Sequence, residues 1–211
     1  MMWPAEAAAF QAWAVQRLQG VTWPAAGDGA RQGQRPAAVL VGVVLREELS
    51  LLLTQRAAHL AAHAGQISFP GGGVEAQDDD RIATALRETV EEVGIDPQHI
   101  SPWCQLGHYH TISGYCVTPV LAGIDPAYQA QPDHNEVADV FEIPLAIALD
   151  PARYARRRVQ RGTQQGEALF LSWQDRLIWG ATAGMLLQLS SALGLPGIPM
   201  DARSGEVFVI A

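Results

Sequence analysis

The stretch from Gly71 to Ile95 constrains this chain more than any other: three consecutive glycines, an acidic loop at Asp78–Asp80, and then RIATALRETVEEVGI. From Arg81 onward the apolar residues Ile82, Ala85, Leu86, Val90 and Val93 recur at intervals of three and four, which marks one buried stripe on a helix. Gly94 follows directly, where helices commonly stop on a left-handed glycine. The glycines before the loop let the backbone turn tightly and approach a neighbour closely. The pattern predicts a glycine turn, a helix over Arg81–Val93 and an abrupt end.

That helix carries its charges on few positions. Glu88 and Glu92 are four residues apart and emerge one above the other on one face, with Glu91 beside them. Arg87 sits four residues before Glu91 and can pair with it. A solvated acidic face explains an isolated E-x-x-E-E well enough. Two or three carboxylates converging on a cleft, with too few cations among them, call for a metal ion. Hard carboxylate oxygens suit Mg2+ or Mn2+, which keep several waters and also bind phosphate oxygens. A cation held in this way neutralises a pyrophosphate and acidifies bound water.

The rest of the chain points to one globular domain of mixed α/β type. Its 211 residues are 48% hydrophobic, ample for a packed core, and the net charge of −8 gives no reason to expect binding to nucleic acid. Cys104 and Cys116 form neither a disulfide framework nor a zinc motif and read as free thiols of a reducing compartment. The first twenty residues lack the pattern of a signal peptide; Phe10, Trp13, Ala14 and Leu18 instead suit an amphipathic helix packed on the domain. The longest apolar run, Ala37–Leu45, is too short to span a bilayer, so no membrane is expected and the location expected is cytoplasmic.

Residues 1–36 read as an N-terminal helix and linker, 37–195 as the domain, and 196–211 as a tail. AAVLVGVVL and LSLLLTQR look like a hairpin. Trp103–Gly107, Tyr115–Gly123 and Val137–Ile143 read as further strands, and Leu145–Arg157 and Ile178–Leu193 as helices. Strands come first with helices interspersed, without the regular alternation of a doubly wound sheet.

The whole arrangement around the acidic helix resembles the signature of the Nudix hydrolases, G-x5-E-x7-R-E-U-x-E-E-x-G-U with U aliphatic. Counting from Gly73 places Asp79 at the first acidic position, Arg87-Glu88 and Glu91-Glu92 at the two paired positions, and Gly94-Ile95 at the end. Two departures are a shorter acid at Asp79 and a polar Thr89 where an aliphatic residue stands. The resemblance implies a single-domain α/β/α sandwich around a mixed β-sheet, and Mg2+ or Mn2+. It also implies attack of water on a phosphorus of a nucleoside diphosphate derivative. Glu88 and Glu92 are then the metal ligands, with Glu91 a third ligand or the base. The base of this superfamily can lie outside the signature, which makes Glu136 in HNEVADVFEIPL a second candidate.

The segment before the signature, LLTQRAAHLAAHAGQISFPGG, is similar to the extra motif of the coenzyme A pyrophosphatase branch. Leu52, Leu53, Thr54, Arg56, Gly65, Phe69, Pro70, Gly71 and Gly72 match, and Ala61 stands where that branch usually carries Arg. The likeness continues through SGYCVTPVLAGI, NEVADVFEIPL and LIWGATAGML. The implied substrate is a small coenzyme A-like nucleotide, with Arg56, Phe69, Gly71 and Gly72 as substrate-binding candidates. ADP-ribose, NADH or a nucleoside triphosphate are the alternatives, and a non-catalytic nucleotide sensor is a third reading. Retention of Glu88, Glu91 and Glu92 argues against the last.

Coenzyme A carries a 3′-phosphate besides its diphosphate, so a basic group away from the metal is expected. Arg56 is the first candidate. The cluster Arg153, Arg156, Arg157, Arg158 and Arg161 is another, equally explained as a solvated helix end. His59, His63, His108, His110 and His134 show no metal spacing, Trp173 and Trp179 read as core, and Tyr115 reads as strand packing.

Overall fold

The structure is a computed structural model that describes residues 3–4, 6–23, 26–27, 29–60, 63–161, 164–195 and 203–210. Along the chain run α1 (Ala7–Leu18), β1 (Ala26–Gly27), β2 (Arg35–Val44), β3 (Ser50–Arg56), β4 (Ile67–Ser68) and β5 (Gly71–Gly73). Then come α2 (Arg81–Val93), β6 (Ile100–Gln105), β7 (Tyr109–His110), β8 (Tyr115–Ile124), β9 (Val137–Pro144) and α3 (Leu145–Ala148). Last are β10 (Tyr154–Arg161), β11 (Gln164–Trp173), β12 (Arg176–Trp179), α4 (Ala181–Ala192) and β13 (Arg203–Ile210).

The apolar run of β2 is near-continuous because both of its faces are covered. Ala37, Val41 and Val43 enter one core with Phe10, Ala14 and Leu18 of α1 and Leu186 and Leu189 of α4. Ala38, Leu40 and Val44 enter the other, with Ala85 and Val93 of α2. The chain is thus layered helix–sheet–helix around a mixed sheet. Its path is β1-β7-β8-β2-β3-β4, with β5 also on β2, β6 on β8 and β9 on β3. The expected hairpin of β2 and β3 forms, but its ladder covers only Val43↔Leu51 and Val44↔Ser50. The long partner of β2 is β8, parallel from Arg35↔Tyr115 to Val44↔Ile124.

The helix expected over Leu145–Arg157 does not exist as such. It stops at Ala148; Asp150 then caps a 3-10 turn at Pro151–Arg153, and the chain becomes β10. Pro151 disfavours helical backbone at the residue before it. β10 pairs with β11 from Tyr154↔Leu171 to Arg161↔Gln164, and β13 lies parallel on its other side. The segment expected to be a tail therefore contributes a strand to a second sheet, ordered β12-β11-β10-β13. The last helix starts at Ala181, Ile178 belonging to β12. Within the expected linker lies β1, while Pro24, Ala25 and Asp28 fall outside the described residues.

The second sheet is tied to the first by Arg176, whose Nη2 lies 2.6 Å from Asp139 Oδ2 and whose guanidinium covers the Phe141 ring at 3.8 Å. Trp173 stacks on that same ring, and Trp179 on Phe170, so both tryptophans serve packing, as expected. No helix among the described residues is long and apolar enough to cross a membrane.

Candidate active site

Helix α2 has the bounds its sequence predicts. Asp80 accepts the Ala83 N–H at 2.8 Å as N-cap, and Gly94 closes the other end at φ 67°. Its buried face is rotated from the predicted stripe: Thr84, Ala85, Thr89, Glu92 and Val93 are buried, whereas Val90 is exposed. Both threonines are satisfied inside, Thr84 Oγ1 on Asp78 Oδ2 and Thr89 Oγ1 on the Ala85 carbonyl at 2.7 Å. A hydroxyl bonded within its own helix lets Thr89 fill an aliphatic position.

The rotation presses the acids against the glycine strand. Gly71 donates its N–H to Glu92 Oε2 at 3.1 Å. A Cβ on Gly71 would lie 2.6 Å from Val39 Cα, so the residue must be glycine for β5 to lie on β2. A Cβ on Gly72 would lie 2.5 Å from Glu88 Oε2. β5 is thus a cradle without side chains, fitted to two carboxylates.

Glu92 is almost fully buried, its side chain 5% exposed, and Arg56 Nη1 approaches its Oε1 at 3.4 Å. Burial pushes the Glu92 carboxyl up to about 7; the Gly71 N–H and Arg56 oppose that, while Glu88 and Glu136 add to it. Burial also raises Glu88, against the hydrogen bond and charge of Arg87, and Glu91 and Glu136 raise it further.

Arg87 is the hub. Nε and Nη2 form a fork on Asp78 at 2.9 and 3.0 Å, Nη1 reaches Glu88 and Glu91 at 2.9 Å each, and Nη2 also donates to the Gly73 carbonyl. The guanidinium, joined by the Glu75 N–H, holds the Asp78 carboxyl well below the usual range. This corrects the assignment of Asp79 to the first acidic position. Asp79 is exposed, and Asp78 does the pairing because the Glu75 N–H bonds its side chain into the loop at 2.9 Å.

Of the remaining candidates, Glu91 is 56% exposed and pairs with Arg87, as expected. Glu136 is exposed, yet its backbone is fixed: its carbonyl accepts from Ala57 N–H at 2.8 Å and its N–H donates to Asp133 O. Asp133 in turn donates to the Glu92 carbonyl, so the loop is fastened to the end of α2 and Glu136 stands near both Glu88 and Glu92. Phe69 is a correction: at 2% exposure it belongs to the core with α1 and α4 and lines no open site. Ala61 lies outside the described residues. Among the arginine cluster, Arg156 pairs with Glu167 at 3.5 Å and Arg157 covers Phe170, both on a strand and not a helix end.

The residues suit a small hard cation. Buried Glu92 and partly buried Glu88 oppose each other's charge at a backbone cradle, and their donors are carboxylate oxygens. Among the described residues no three His, Cys, Asp or Glu side chains form a closed cage. Mg2+ needs none, since it binds through one or two carboxylates and keeps several waters.

The NUDIX domain family model matches residues 34–161. Proteins of Salmonella newport and Salmonella agona described as "Uncharacterized Nudix hydrolase NudL" are 44% identical over 163 residues, spanning 77% of this chain and 84% of theirs. Among solved structures, a Caenorhabditis elegans Ap4A hydrolase in a binary complex is 26% identical, covering 54% of this chain and 83% of its own, at a TM-score of 0.46. The NUDIX domain of Shewanella oneidensis NrtR, solved with ADP ribose, is 27% identical over 55% of this chain and 76% of its own, at 0.43.

Proposed function

The chain belongs to the Nudix family and is a pyrophosphohydrolase, and from that premise we propose that its substrate is coenzyme A or an acyl derivative, cleaved to 3′,5′-ADP and (acyl-)4′-phosphopantetheine. One observation carries the substrate reading. The Leu52–Gly72 segment, whose residues match the coenzyme A branch, meets the acids directly: Arg56 and Gly71 both reach Glu92.

Nudix hydrolases use divalent cations; here Glu88 and Glu92 are the proposed holders of Mg2+ or Mn2+, which supplies charge neutralisation of the diphosphate and a more acidic water. The absence of side chains at Gly71 and Gly72 lets the Glu88 and Glu92 carboxylates lie directly on the β5 backbone. Water attacks one phosphorus, the bridging P–O bond breaks toward the other phosphate, and the water's proton passes to a carboxylate. Glu136 is the proposed acceptor, because its loop is fastened to α2 near both acids, whereas Glu91 is paired with Arg87. Arg87 acts at one remove by holding Glu88 and Glu91 in fixed rotamers.

Incubation with coenzyme A, acetyl-coenzyme A, ADP-ribose, NADH and nucleoside triphosphates, each with Mg2+ or Mn2+, tests this by product mass. The expected result is fastest cleavage of the coenzyme A compounds. Rapid turnover of ADP-ribose with coenzyme A untouched would defeat the substrate reading and leave the family assignment standing.

A further inference from the structure

Arg56 ends β3 at a break in register: the ladder with β9 shifts between Gln55 and Arg56. Such a shift leaves the strand's alternation and re-aims the side chain that follows. The backbone there is held on both sides. Arg56 N–H donates to Gln66 O at 2.9 Å, Gly65 N–H donates to Arg56 O at 3.2 Å, and Ala57 N–H donates to Glu136 O at 2.8 Å.

The side chain aimed in this way goes inward, to Glu92 Oε1, while Gly71 holds Oε2. The last torsion of a glutamate is broad, so a single donor on one oxygen leaves the carboxylate plane free to turn. Two donors from two different strands fix it. The 3.4 Å approach is long for a hydrogen bond but within reach of an ion pair, and burial of Glu92 limits screening by salt.

We propose that Arg56 is a positioning residue of the hydrolytic site, fixing the plane of the Glu92 carboxylate from the side opposite Gly71, and is not the reader of a substrate's 3′-phosphate. This rests on Glu92 being one of the acids that hold the cation. It also separates two roles that a basic residue in this segment could have. A phosphate anchor alters substrate affinity; a positioning residue alters turnover and the cation's affinity.

The test uses the full chain with Arg56→Gln, Arg56→Lys and Glu92→Gln. Mn2+ binding to the substrate-free protein is measured by electron paramagnetic resonance, and kcat and KM are measured for coenzyme A and 3′-dephospho-coenzyme A. Arg56→Gln is expected to weaken Mn2+ binding about tenfold, the lower end of what loss of an orienting partner of a metal ligand costs. Its kcat falls by a similar factor, Arg56→Lys recovers most of both, and the KM ratio of the two coenzymes stays at the wild-type value. Should glutamine prevent folding, Arg56→Met, which keeps the buried stem, replaces it.

Wild-type Mn2+ affinity in Arg56→Gln, with affinity lost in Glu92→Gln, would overturn the positioning role alone. A KM raised only for coenzyme A would overturn it in favour of a phosphate anchor. Wild-type Mn2+ affinity in Glu92→Gln would remove Glu92 from the cation site, and the inference with it.

Discussion

Replacing Gly72 by Ala perturbs the proposed site with little change to the scaffold. The added methyl would stand 2.5 Å from both Oε2 and Cδ of Glu88. Ordinary non-bonded separations are about 3.5 Å or more, so the carboxylate must withdraw by roughly 1 Å. A displacement of that size at reacting groups costs on the order of 100-fold in rate. Only the end of a flexible side chain has to move, and Gly72 has no positive φ that alanine would strain. Its stability should therefore stay within about 1 kcal/mol of wild type, since alanine also reduces the freedom of the unfolded chain. Gly71→Ala makes the contrast, because its methyl would meet the main chain of Ala38 and Val39. Relief of that overlap has to come from the backbone, at about 1–3 kcal/mol. Urea unfolding with steady-state hydrolysis of coenzyme A in Mg2+ separates the two variants. A Gly72→Ala protein with near wild-type kcat, or one as destabilised as Gly71→Ala, would refute the cradle argument.

Asp78→Asn removes the charge from the fork on Arg87 and should lower kcat roughly tenfold by releasing the residue that orients Glu88. Because the folded protein holds the Asp78 carboxyl below its unfolded value, the stability it contributes is complete above about pH 4 and is lost as pH falls through the folded value. Wild type should thus exceed Asp78→Asn in urea midpoint at pH 7, with the gap closing in strong acid. Gly184→Ala would drive a methyl against the Tyr109 ring, 2.6 Å from Cζ, and should destabilise the α4–β7 contact by about 1–3 kcal/mol without changing KM. Chelation by EDTA should abolish hydrolysis, and Mg2+ or Mn2+ should restore it.

What the sequence made legible was local. The bounds of α2 follow from a cap at Asp80, an apolar period and Gly94, all within fourteen residues of each other. Glu88, Glu92 and Arg87 converge because helical spacing alone puts them on adjacent rows. The choice between Asp78 and Asp79 was not legible, since adjacent acids in a loop differ only in which one the turn folds inward. The core position of Phe69 is not legible either, since a matched motif does not tell which way a side chain in the link between β4 and β5 faces. The inward aim of Arg56 depends on a register shift against β9, some eighty residues away in sequence. The second sheet escaped notice for a related reason: β10 is an arginine-rich strand whose partners, β11 and β13, are set by long-range pairing and not by local pattern.

Glu88 and Glu92 are the proposed carriers of the hydrolysis, and the most direct measurement is the rate of coenzyme A cleavage by Glu88→Gln and Glu92→Gln, with products weighed and thermal unfolding recorded beside it. Both variants should remain folded and lose several orders of magnitude in rate, while wild type yields 3′,5′-ADP and 4′-phosphopantetheine. Near-normal turnover in both would contradict the placement of the site against the glycine strand.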